Sequence, residues 1–415
     1  MKNRAQWSWA AYDWANSAFA TTVIAGFFPV FFKQYNAAGM EATQSTFWLG
    51  VFSSAASVVV MLAAPFLGMQ ADRLGAHKRF LLGFTLLGIL ATALLPLAGQ
   101  GDWLLAAGLF ALGSIGFFGG LTFYDSLILQ VAAPNEMDRV SALGYGAGYL
   151  GGGLLLAVNV AMTLQPAWFG LADATAAVKW SFASVALWWA VFSIPLIRWV
   201  REAPPRPDAV ENGWRGLART IGQLRAQPAI GWFLLAYWLY IDGVHTIIRM
   251  AVDFGLSLGF DSSSLITALL LVQFVGFPAA IAFGRLGERW GTRKAILLAL
   301  AVYIVVTVWG TQMQTVAQFY VLAAVLALVQ GGIQSLSRSY FGRLVPVAQA
   351  GSFFGLYNMM GKFAAVLGPL AVGVTAAMTG SARMSLLSLL VFFVIGGCLL
   401  LRVPDPDTTA DAQPQ

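Results

Sequence analysis

Charged residues are scarce in this chain: of 415 residues only 10% are Asp, Glu, Lys or Arg, while 59% are hydrophobic. An ordinary soluble domain is about one quarter charged. Apolar stretches of about 17–25 residues, long enough to cross a bilayer, recur along nearly the whole length. The composition therefore excludes a soluble catalytic domain and predicts an integral membrane protein.

Cysteine and histidine are nearly absent as well. Cys398 is the single cysteine, so it cannot form an intrachain disulfide, and we expect it to face lipid or to pack between helices. The two histidines, His77 and His245, are not spaced with Cys or carboxylates as a zinc site requires. The sequence has no Walker loop and no nucleophile motif. We therefore predict no enzymatic activity, no metal and no cofactor, with energy taken from ion or solute gradients.

A glycine-rich stretch, GYGAGYLGGG at 144–153, contains Gly146, Gly148 and Gly151 at the spacing of a dinucleotide-binding turn. That turn requires a strand before it and a helix after it. Here the stretch lies inside a helix-length apolar run from about Ser141 to Leu164. Small residues let membrane helices approach closely, so the stretch predicts helix packing and not nucleotide binding.

Twelve apolar segments are predicted to span the membrane. Numbered as spans 1 to 12, they are 8–32, 46–69, 80–98, 103–125, 141–164, 179–199, 229–252, 263–284, 294–311, 316–337, 353–377 and 384–402. Asp13 and Asn16 interrupt the first run, which continues to Phe32, so we expect an uncleaved span and not a signal peptide.

The basic residues predict the orientation. Nearly all Lys and Arg residues assigned to loops, Arg338 among them, fall on the side of the two termini, and Lys33, Lys179 and Arg383 alone are assigned to the other side. By the positive-inside rule both termini are predicted to be cytoplasmic, in the inner (plasma) membrane. Because the net charge of +6 is scattered over short loops, it implies no nucleic-acid partner.

One long hydrophilic interruption, 201–228, divides the chain into halves 1–200 and 229–403. Within it Trp214, Leu217, Ala218, Ile221 and Leu224 recur at helical spacing. We predict an amphipathic helix on the cytoplasmic surface. The tail 404–415 is predicted to be disordered.

An internal repeat supports the two halves. GMQADRLGAHKR after span 2 aligns with GRLGERWGTRK after span 8, and Gly119, Gly120, Pro134 and Tyr145 align with Gly331, Gly332, Pro346 and Tyr357. Parallel repeats of six helices are typical of transporters whose central site lies between the halves. The sequence therefore predicts an all-α membrane protein of twelve transmembrane helices in two pseudo-symmetric six-helix bundles.

GMQADRLGAHKR also resembles the loop signature of the major facilitator superfamily. YDWANSAF (12–19), YIDGVHTII (240–248) and GGIQSLSRSYFGRLVP with FFGLYNMMGKFAAVLGP (331–369) resemble its vacuole-effluxer-like branch, which includes a yeast vacuolar amino-acid exporter. The resemblance covers nearly the whole chain and implies the major facilitator fold, with spans 1, 4, 7 and 10 around a central cavity. His245 stands where that branch is expected to have glutamine, and Asp125 where it is expected to have asparagine, so substrate or coupling ion can differ.

Polar groups inside the spans are candidates for binding substrate or carrying protons, because they are costly in a bilayer and usually face a cavity or a partner. Asp242, His245 and Arg249 share one face of span 7, and an imidazole titrates near neutral pH. The alternative for Asp242 and His245 is a buried pair that only fixes span 7. For Arg249 the alternative is an ion pair with Asp253.

Spans 1 and 11 supply further candidates. Asp13 and Asn16 lie in the cytoplasmic half of span 1, where Asp13 is either a site residue or an acid favoured by the helix dipole. Lys362 lies mid-depth in span 11 and is expected to need an anion: Asp13, Asp242 or a substrate carboxylate, which would suit amino or organic acids. The other candidates, which either orient substrate groups or join helices, are Tyr240, Gln273, Gln330, Gln334 and Asn358.

The two copies of the repeat motif predict a cytoplasmic gate that holds the inner side closed through ion pairs and helix N-termini. The predicted gate residues are Gly68, Asp72, Arg73, Lys78, Arg79, Asp125, Glu288 and Arg289. Asp125 is expected to pair with Arg73 or Arg79.

The repeat, the topology and the buried charges predict a monomeric secondary transporter that works by alternating access. The resemblance alone implies that it exports a small polar solute and that this solute is an amino acid. An amino acid is the leading candidate, with protons coupled through Asp242, His245 or Asp13. One alternative is a proton-coupled importer of sugars or organic acids. The alternative from another class is a non-transporting receptor or a lipid scramblase, and a scramblase should carry a polar stripe facing lipid.

Overall fold

The computed structural model describes residues 2–202, 205, 213–257 and 259–404, and these are mostly helical. A helix occupies each predicted span. In span order the helices are Asn3–Asn36, Ala42–Leu74, His77–Leu97, Trp103–Val131, Pro134–Leu164, Ala174–Trp199, Pro228–Ser257, Ser262–Trp290, Thr292–Gly310, Val316–Leu344, Ala350–Thr379 and Arg383–Leu400. Among the described residues, eleven of these helices are long and apolar enough to cross a membrane. The exception, Pro228–Ser257, has 30 residues, and Asp242 and His245 interrupt its apolar run.

Each copy of the repeat motif ends its helix at a glycine with positive φ. The helix of span 2 ends before Gly75, which has φ +60°, and the helix of span 8 ends before Gly291, which has φ +91°. A positive φ favours glycine, because a side chain would be strained there. The next helices start at His77 and Thr292. The two copies therefore share a glycine at the helix end, although the backbone there differs, with ψ 36° at Gly75 and ψ 137° at Gly291.

Span 5 passes between span 1 of its own half and span 8 of the other half. A Cβ added to Gly148 would lie 2.5 Å from Ser17 Oγ, and one added to Gly151 would lie 2.7 Å from Trp14 O, both on span 1. On the opposite face, a Cβ at Gly146 would lie 3.3 Å from Phe277 O of span 8. The glycines thus let two helices approach one helix, which confirms the prediction of helix packing.

Span 1 is not a uniform α-helix. It is α-helical over Lys2–Ala18 and then π-helical over Phe19–Phe27 and Phe32–Asn36. The wider π turns change which side chains face the bundle. A regular helical period therefore describes only the first half of this span.

The linker contains a helix, Gly213–Ala226. Gly216 and Thr220 are buried, and Leu217 and Leu224 pack against the core. Trp214 is 76% exposed but its ring centre lies 4.9 Å from that of Phe66 on span 2. The helix therefore lies along the bundle. Most of the tail lies outside the described residues.

Candidate functional site: an interface closed at one end

The described residues nearest the two ends of the chain lie at one end of the bundle, as does the residue before the linker, and we call this the inner end because the loop charges predict that it faces the cytoplasm. Gln6 Nε2 donates to Val131 O at 3.2 Å. Lys78 Nζ donates to Val200 O at 2.9 Å, and Arg293 Nη1 donates to Val403 O at 2.8 Å. The contacts between the halves described below also lie toward this end.

Arg338 of span 10 lies between the halves, with its side chain 2% exposed. Its Nη1 is 3.1 Å from Asp125 Oδ1 and 3.6 Å from Asp13 Oδ2. Its Nε donates to Ser141 Oγ and its Nη2 donates to Ser141 O, both at 2.9 Å. Asp13, Asp125 and Ser141 belong to spans 1, 4 and 5. All these partners of the guanidinium therefore come from the opposite half.

Aromatic rings surround the same guanidinium. Arg338 Cζ lies 4.7 Å from the ring centre of Trp9, 5.3 Å from that of Tyr124 and 4.5 Å from that of Tyr145. A cation near an aromatic face is attracted by the ring quadrupole. The first-half residues around Arg338 are called the arginine cage: Trp9, Asp13, Tyr124, Asp125, Ser141 and Tyr145.

Two sequence expectations are wrong at this point. The sequence pattern assigns Arg338 to a loop, but the helix of span 10 continues to Leu344 and buries it. Arg73 and Arg79, the expected partners of Asp125, are both exposed. Asp125 instead binds Arg338 and accepts a hydrogen bond from Asn358 Nδ2 of span 11 at 3.1 Å.

Asp72 forms a second contact between the halves. Its Oδ1 accepts from the backbone N–H of Gly351 at 2.7 Å. Its Oδ2 accepts from the backbone N–H of Ser352 at 2.7 Å and from Ser352 Oγ at 2.6 Å. These N–H groups belong to the first turn of span 11, which lacks helical acceptors and favours an anion. His77 supports the carboxylate, with Nε2 3.2 Å from Asp72 Oδ1 and Nδ1 2.8 Å from Ser126 Oγ.

Gly68 lies one turn before Asp72, where span 2 crosses span 11. A Cβ at Gly68 would overlap the carbonyl group of Gly351. In the other copy of the repeat, a Cβ at Gly284 of span 8 would overlap Cβ of Ala142 on span 5. The two glycines thus let the halves come into close contact at the inner end.

The second copy of the motif does not repeat the Asp72 contact. Glu288 and Arg289 are exposed, and Glu288 lines a polar cleft of about 450 Å³. Asp138 of span 5 makes the contacts on this side. Its Oδ2 accepts from Thr292 Oγ1 at 2.6 Å, and its Oδ1 lies 3.2 Å from Arg343 Nη2.

Lys78 contacts its own half. Its Nζ donates to the carbonyls of Ile197 at 3.2 Å and of Val200 at 2.9 Å, where span 6 ends. A cation is favoured at the C-terminus of a helix. The structure therefore brings Gly68, Asp72 and Asp125 to the interface, while Lys78 ties spans 3 and 6 together.

Neutralising Asp72 is expected to weaken the closed inner end. An asparagine at this position would keep one side-chain oxygen for three donors, and hydrogen bonds to a charged group contribute about 1.5–3 kcal/mol. We expect Asp72→Asn to raise the maleimide reactivity of a Ser335→Cys reporter about tenfold or more in a Cys398→Ser background. Ser335 is buried, and its carbonyl accepts a hydrogen bond from Ser141 across the interface.

Glu288→Gln is the matched control, since Glu288 is the repeat equivalent of Asp72 but is exposed. Its reporter should react at the wild-type rate. Equal reactivity of both variants would show that Asp72 does not hold the interface.

On span 7, Asp242 and Tyr240 contact neighbouring helices of the same half. Asp242 is 0% exposed, and its Oδ1 accepts from the backbone N–H of Gly368 in span 11 at 2.9 Å. Tyr240 Oη lies 2.7 Å from Ser337 Oγ of span 10. His245 is half-buried. The side chain of Arg249 lies outside the described residues. Asp242 is therefore buried and bound to span 11 within its own half.

Lys362 of span 11 reaches the other half, with Nζ 2.9 Å from the ring centre of Phe118 on span 4. Asn16 points into the first half, is 1% exposed, and its Nδ2 has no hydrogen-bond partner among the described atoms.

The three glutamines lie along spans 8 and 10. Gln273 packs against span 5, where a Cβ at Gly153 would lie 2.8 Å from its Cβ. Gln330 lies beside the Tyr149 hydroxyl. Gln334 is half-buried. Gln273 and Gln330 therefore contact span 5 of the first half.

Nearly the whole chain matches a known family: the model described as "Vacuole effluxer Atg22 like" covers residues 1–413. The chain belongs to this family. This Atg22-like chain is also 39% identical to the "Uncharacterized MFS-type transporter YxiO" of Bacillus subtilis (strain 168), over 98% of this chain and 96% of that protein. It is 26% identical to autophagy-related protein 22-1 of Aspergillus niger, over 64% of this chain and 47% of that protein. It spans about half the length of this fungal relative.

The Atg22-like chain also resembles a solved structure, that of the human organic anion transporter MFSD10 (TETRAN). The TM-score is 0.76 at 17% sequence identity, and the match covers 96% of this chain and 99% of the other. At this identity the likeness shows the fold. Together with the family it confirms the resemblance seen in the sequence: the protein is a multi-pass membrane transporter of the major facilitator type.

Proposed function

We propose that this Atg22-like transporter is a secondary active exporter of a small polar solute, with an amino acid as the leading candidate, and that it works by alternating access. The observation that supports this most strongly is the binding of Arg338 by Asp13, Asp125 and Ser141 of the opposite half. These contacts close the inner end. A transporter of this plan must break them once in every cycle.

When these contacts break, Arg338 and the two carboxylates lose their opposite charges. An arginine keeps its charge in proteins, and leaving a buried charge without its counter-charge costs about 3–5 kcal/mol. When Arg338 moves away, the negative charge of Asp13 and Asp125 can be neutralised by a proton or by a positive group of the solute. Opening of the inner end is thereby coupled to what binds there.

The second half also contains a positive side chain other than Arg338. Lys362 lies against Phe118 of the first half, and we assign to it the carboxylate of an amino acid. A solute with both an ammonium and a carboxylate group can then contact both halves. This arrangement favours amino acids over sugars.

The proposed orientation rests on the loop charges, and the proposed outward direction rests on the similarity to the effluxer family. Basic residues concentrated at the inner end predict a cytoplasmic inner end in the plasma membrane. We propose that solute enters from this side and leaves from the other, and that the monomer is the working unit.

Counterflow in liposomes tests this proposal. Purified protein is reconstituted in vesicles loaded with an unlabelled solute, and exchange of the labelled solute is measured for amino acids, organic acids and sugars. We expect amino-acid exchange to fall at least about tenfold in Lys362→Met, since charge-assisted contacts contribute about 1.5–3 kcal/mol. Lys33→Met is the control, because Lys33 is exposed at the other end of the bundle.

The other outcomes separate the alternatives. Sugar accumulation driven by an inward proton gradient would support the importer. Movement of labelled lipid between leaflets without solute exchange would support the scramblase. Equal exchange in Lys362→Met and Lys33→Met would remove Lys362 from the site.

A further inference from the structure

The arginine cage belongs entirely to the first half, although the cation inside it belongs to the second. Trp9 and Asp13 lie on span 1, Tyr124 and Asp125 on span 4, and Tyr145 on span 5. Three guanidinium nitrogens of Arg338 each contact this half, through a carboxylate, a hydroxyl or a carbonyl oxygen. Arg338 is therefore bound as a ligand would be bound.

The cage is also held in shape without Arg338. Trp9 Nε1 donates to Tyr124 O at 2.9 Å, and the two rings stack with centres 4.4 Å apart. The Tyr124 hydroxyl donates to Asp13 Oδ2 at 2.9 Å. Gly144 of span 5 lets these groups converge, since a Cβ there would lie 2.8 Å from Asp13 Oδ2 and 3.0 Å from the Trp9 ring. All these contacts lie within the first half, so they persist when the halves separate.

We propose that the arginine cage is the binding site for a cationic group of the transported solute other than its α-ammonium, an alkylguanidinium or a side-chain alkylammonium, and that Arg338 occupies it as a tethered substitute while the inner end is closed. This inference rests on the proposed function and narrows its substrate class to cationic amino acids and related amines. Opening of the inner end removes Arg338 and leaves two carboxylates and three aromatic rings arranged around a cation-sized space.

The chemistry of the cage selects for a cation. Carboxylates and aromatic faces both attract positive charge, and aromatic faces act more strongly on a cation that has lost its water. A neutral group of the same shape satisfies the hydrogen bonds but gains neither attraction. Cation binding and return of Arg338 exclude each other, so the inner end can close only after the cationic group has left the cage for the space between the halves where Lys362 lies.

Removal of Arg338 tests the site directly. In detergent-purified Arg338→Ala, we expect methylguanidinium chloride to raise the unfolding temperature in a saturable manner, because a ligand that binds only the folded state stabilises it. Methylurea, its neutral isostere, and sodium chloride should not. The unfolding temperature should rise much less in wild type, because Arg338 fills the cage. It should also rise much less in Arg338→Ala with Trp9→Leu, which lacks one of the rings. An equal response to methylurea, or an equal response in the double variant, would overturn the proposal.

A second measurement uses the wild-type protein, so that the test does not depend on folding of the variant. L-arginine and agmatine should inhibit amino-acid counterflow at concentrations at least about tenfold lower than L-leucine and L-glutamate. One charge-assisted hydrogen bond contributes enough binding energy for a difference of this size. Equal inhibition by L-leucine would overturn the cage as a cation site while leaving amino-acid export in place. Exchange of no solute would contradict the proposed function and this inference together.

Discussion

Replacing Asp13 and Asp125 together by asparagine is expected to lower solute exchange about 100-fold or more. The double variant leaves the Arg338 guanidinium buried between the halves without either carboxylate. Removing the partner of a buried charge costs about 3–5 kcal/mol, and each 1.4 kcal/mol is about tenfold in an equilibrium constant. The closed inner state should therefore become rare, and a cycle that must pass through it should slow.

The control for this variant removes two acids from the surface. Glu41 and Asp102 are exposed and lie at the other end of the bundle, so Glu41→Gln with Asp102→Asn should exchange solute within about twofold of wild type, as expected of surface substitutions. Each single variant, Asp13→Asn or Asp125→Asn, should exchange solute at a rate between those of the double variant and the wild type. Exchange at the wild-type rate in Asp13→Asn with Asp125→Asn would mean that the Arg338 contact is not part of the cycle.

A methyl group at Gly68 is expected to prevent closure of the inner end. The new Cβ in Gly68→Ala meets the backbone of Gly351, which cannot move aside as a flexible side chain can. Overpacking costs about 1–3 kcal/mol, which corresponds to a shift of about 5- to 150-fold toward the open state. We expect the Ser335→Cys reporter to react faster with maleimide by a factor in this range.

Gly83→Ala supplies the matched control. Gly83 lies on span 3, and a Cβ there would meet nothing within 4 Å. Because the new methyl group meets nothing, the Ser335→Cys reporter should react with maleimide at the wild-type rate. Alanine is also the better helix former, so the stability of the variant should be unchanged or slightly higher. If the Ser335→Cys reporter reacted with maleimide as slowly in Gly68→Ala as in Gly83→Ala, the close crossing of spans 2 and 11 would have no part in closure.

The sequence is sufficient for features that depend on local pattern. Apolar runs predict the spans, and the glycines of GYGAGYLGGG predict close helix packing, which the contacts of Gly148 and Gly151 confirm. The repeat motif predicts Gly68 and Asp72 as gate residues, and both lie against Gly351 of the other half. In each case the property belongs to one segment or to two segments of similar sequence.

The burial of Arg338 escapes the sequence pattern because a charge near the end of an apolar run is typical of the start of a loop. A signal is present: Gly331, Gly332, Ser335, Ser337 and Ser339 surround it in sequence and are all buried. Such small residues are typical of a helix that continues in close contact with others. The partners of Arg338 are not predictable, because Asp13 lies on a distant span and only the packed fold brings it near.

Pseudo-symmetry is also an incomplete guide. Asp72 and Glu288 are equivalent in the repeat, yet one is buried against the N-terminus of span 11 and the other is exposed. Asp138 takes the contact in the second position through Thr292 and Arg343. A repeat predicts where equivalent helices end, whereas the partner of each side chain depends on neighbours that differ between the halves.

The distance between the halves at the inner end tests the central claim most directly. Leu74 and Trp290 are exposed, directly precede the equivalent glycines Gly75 and Gly291, and lie on opposite halves. Spin labels at Leu74→Cys and Trp290→Cys, in a Cys398→Ser background, report this distance by electron paramagnetic resonance. We predict a short-distance population in wild type that is lost in favour of a longer distance when Asp13→Asn and Asp125→Asn are added. An unchanged distance distribution would contradict the claim that the Arg338 contact closes the inner end.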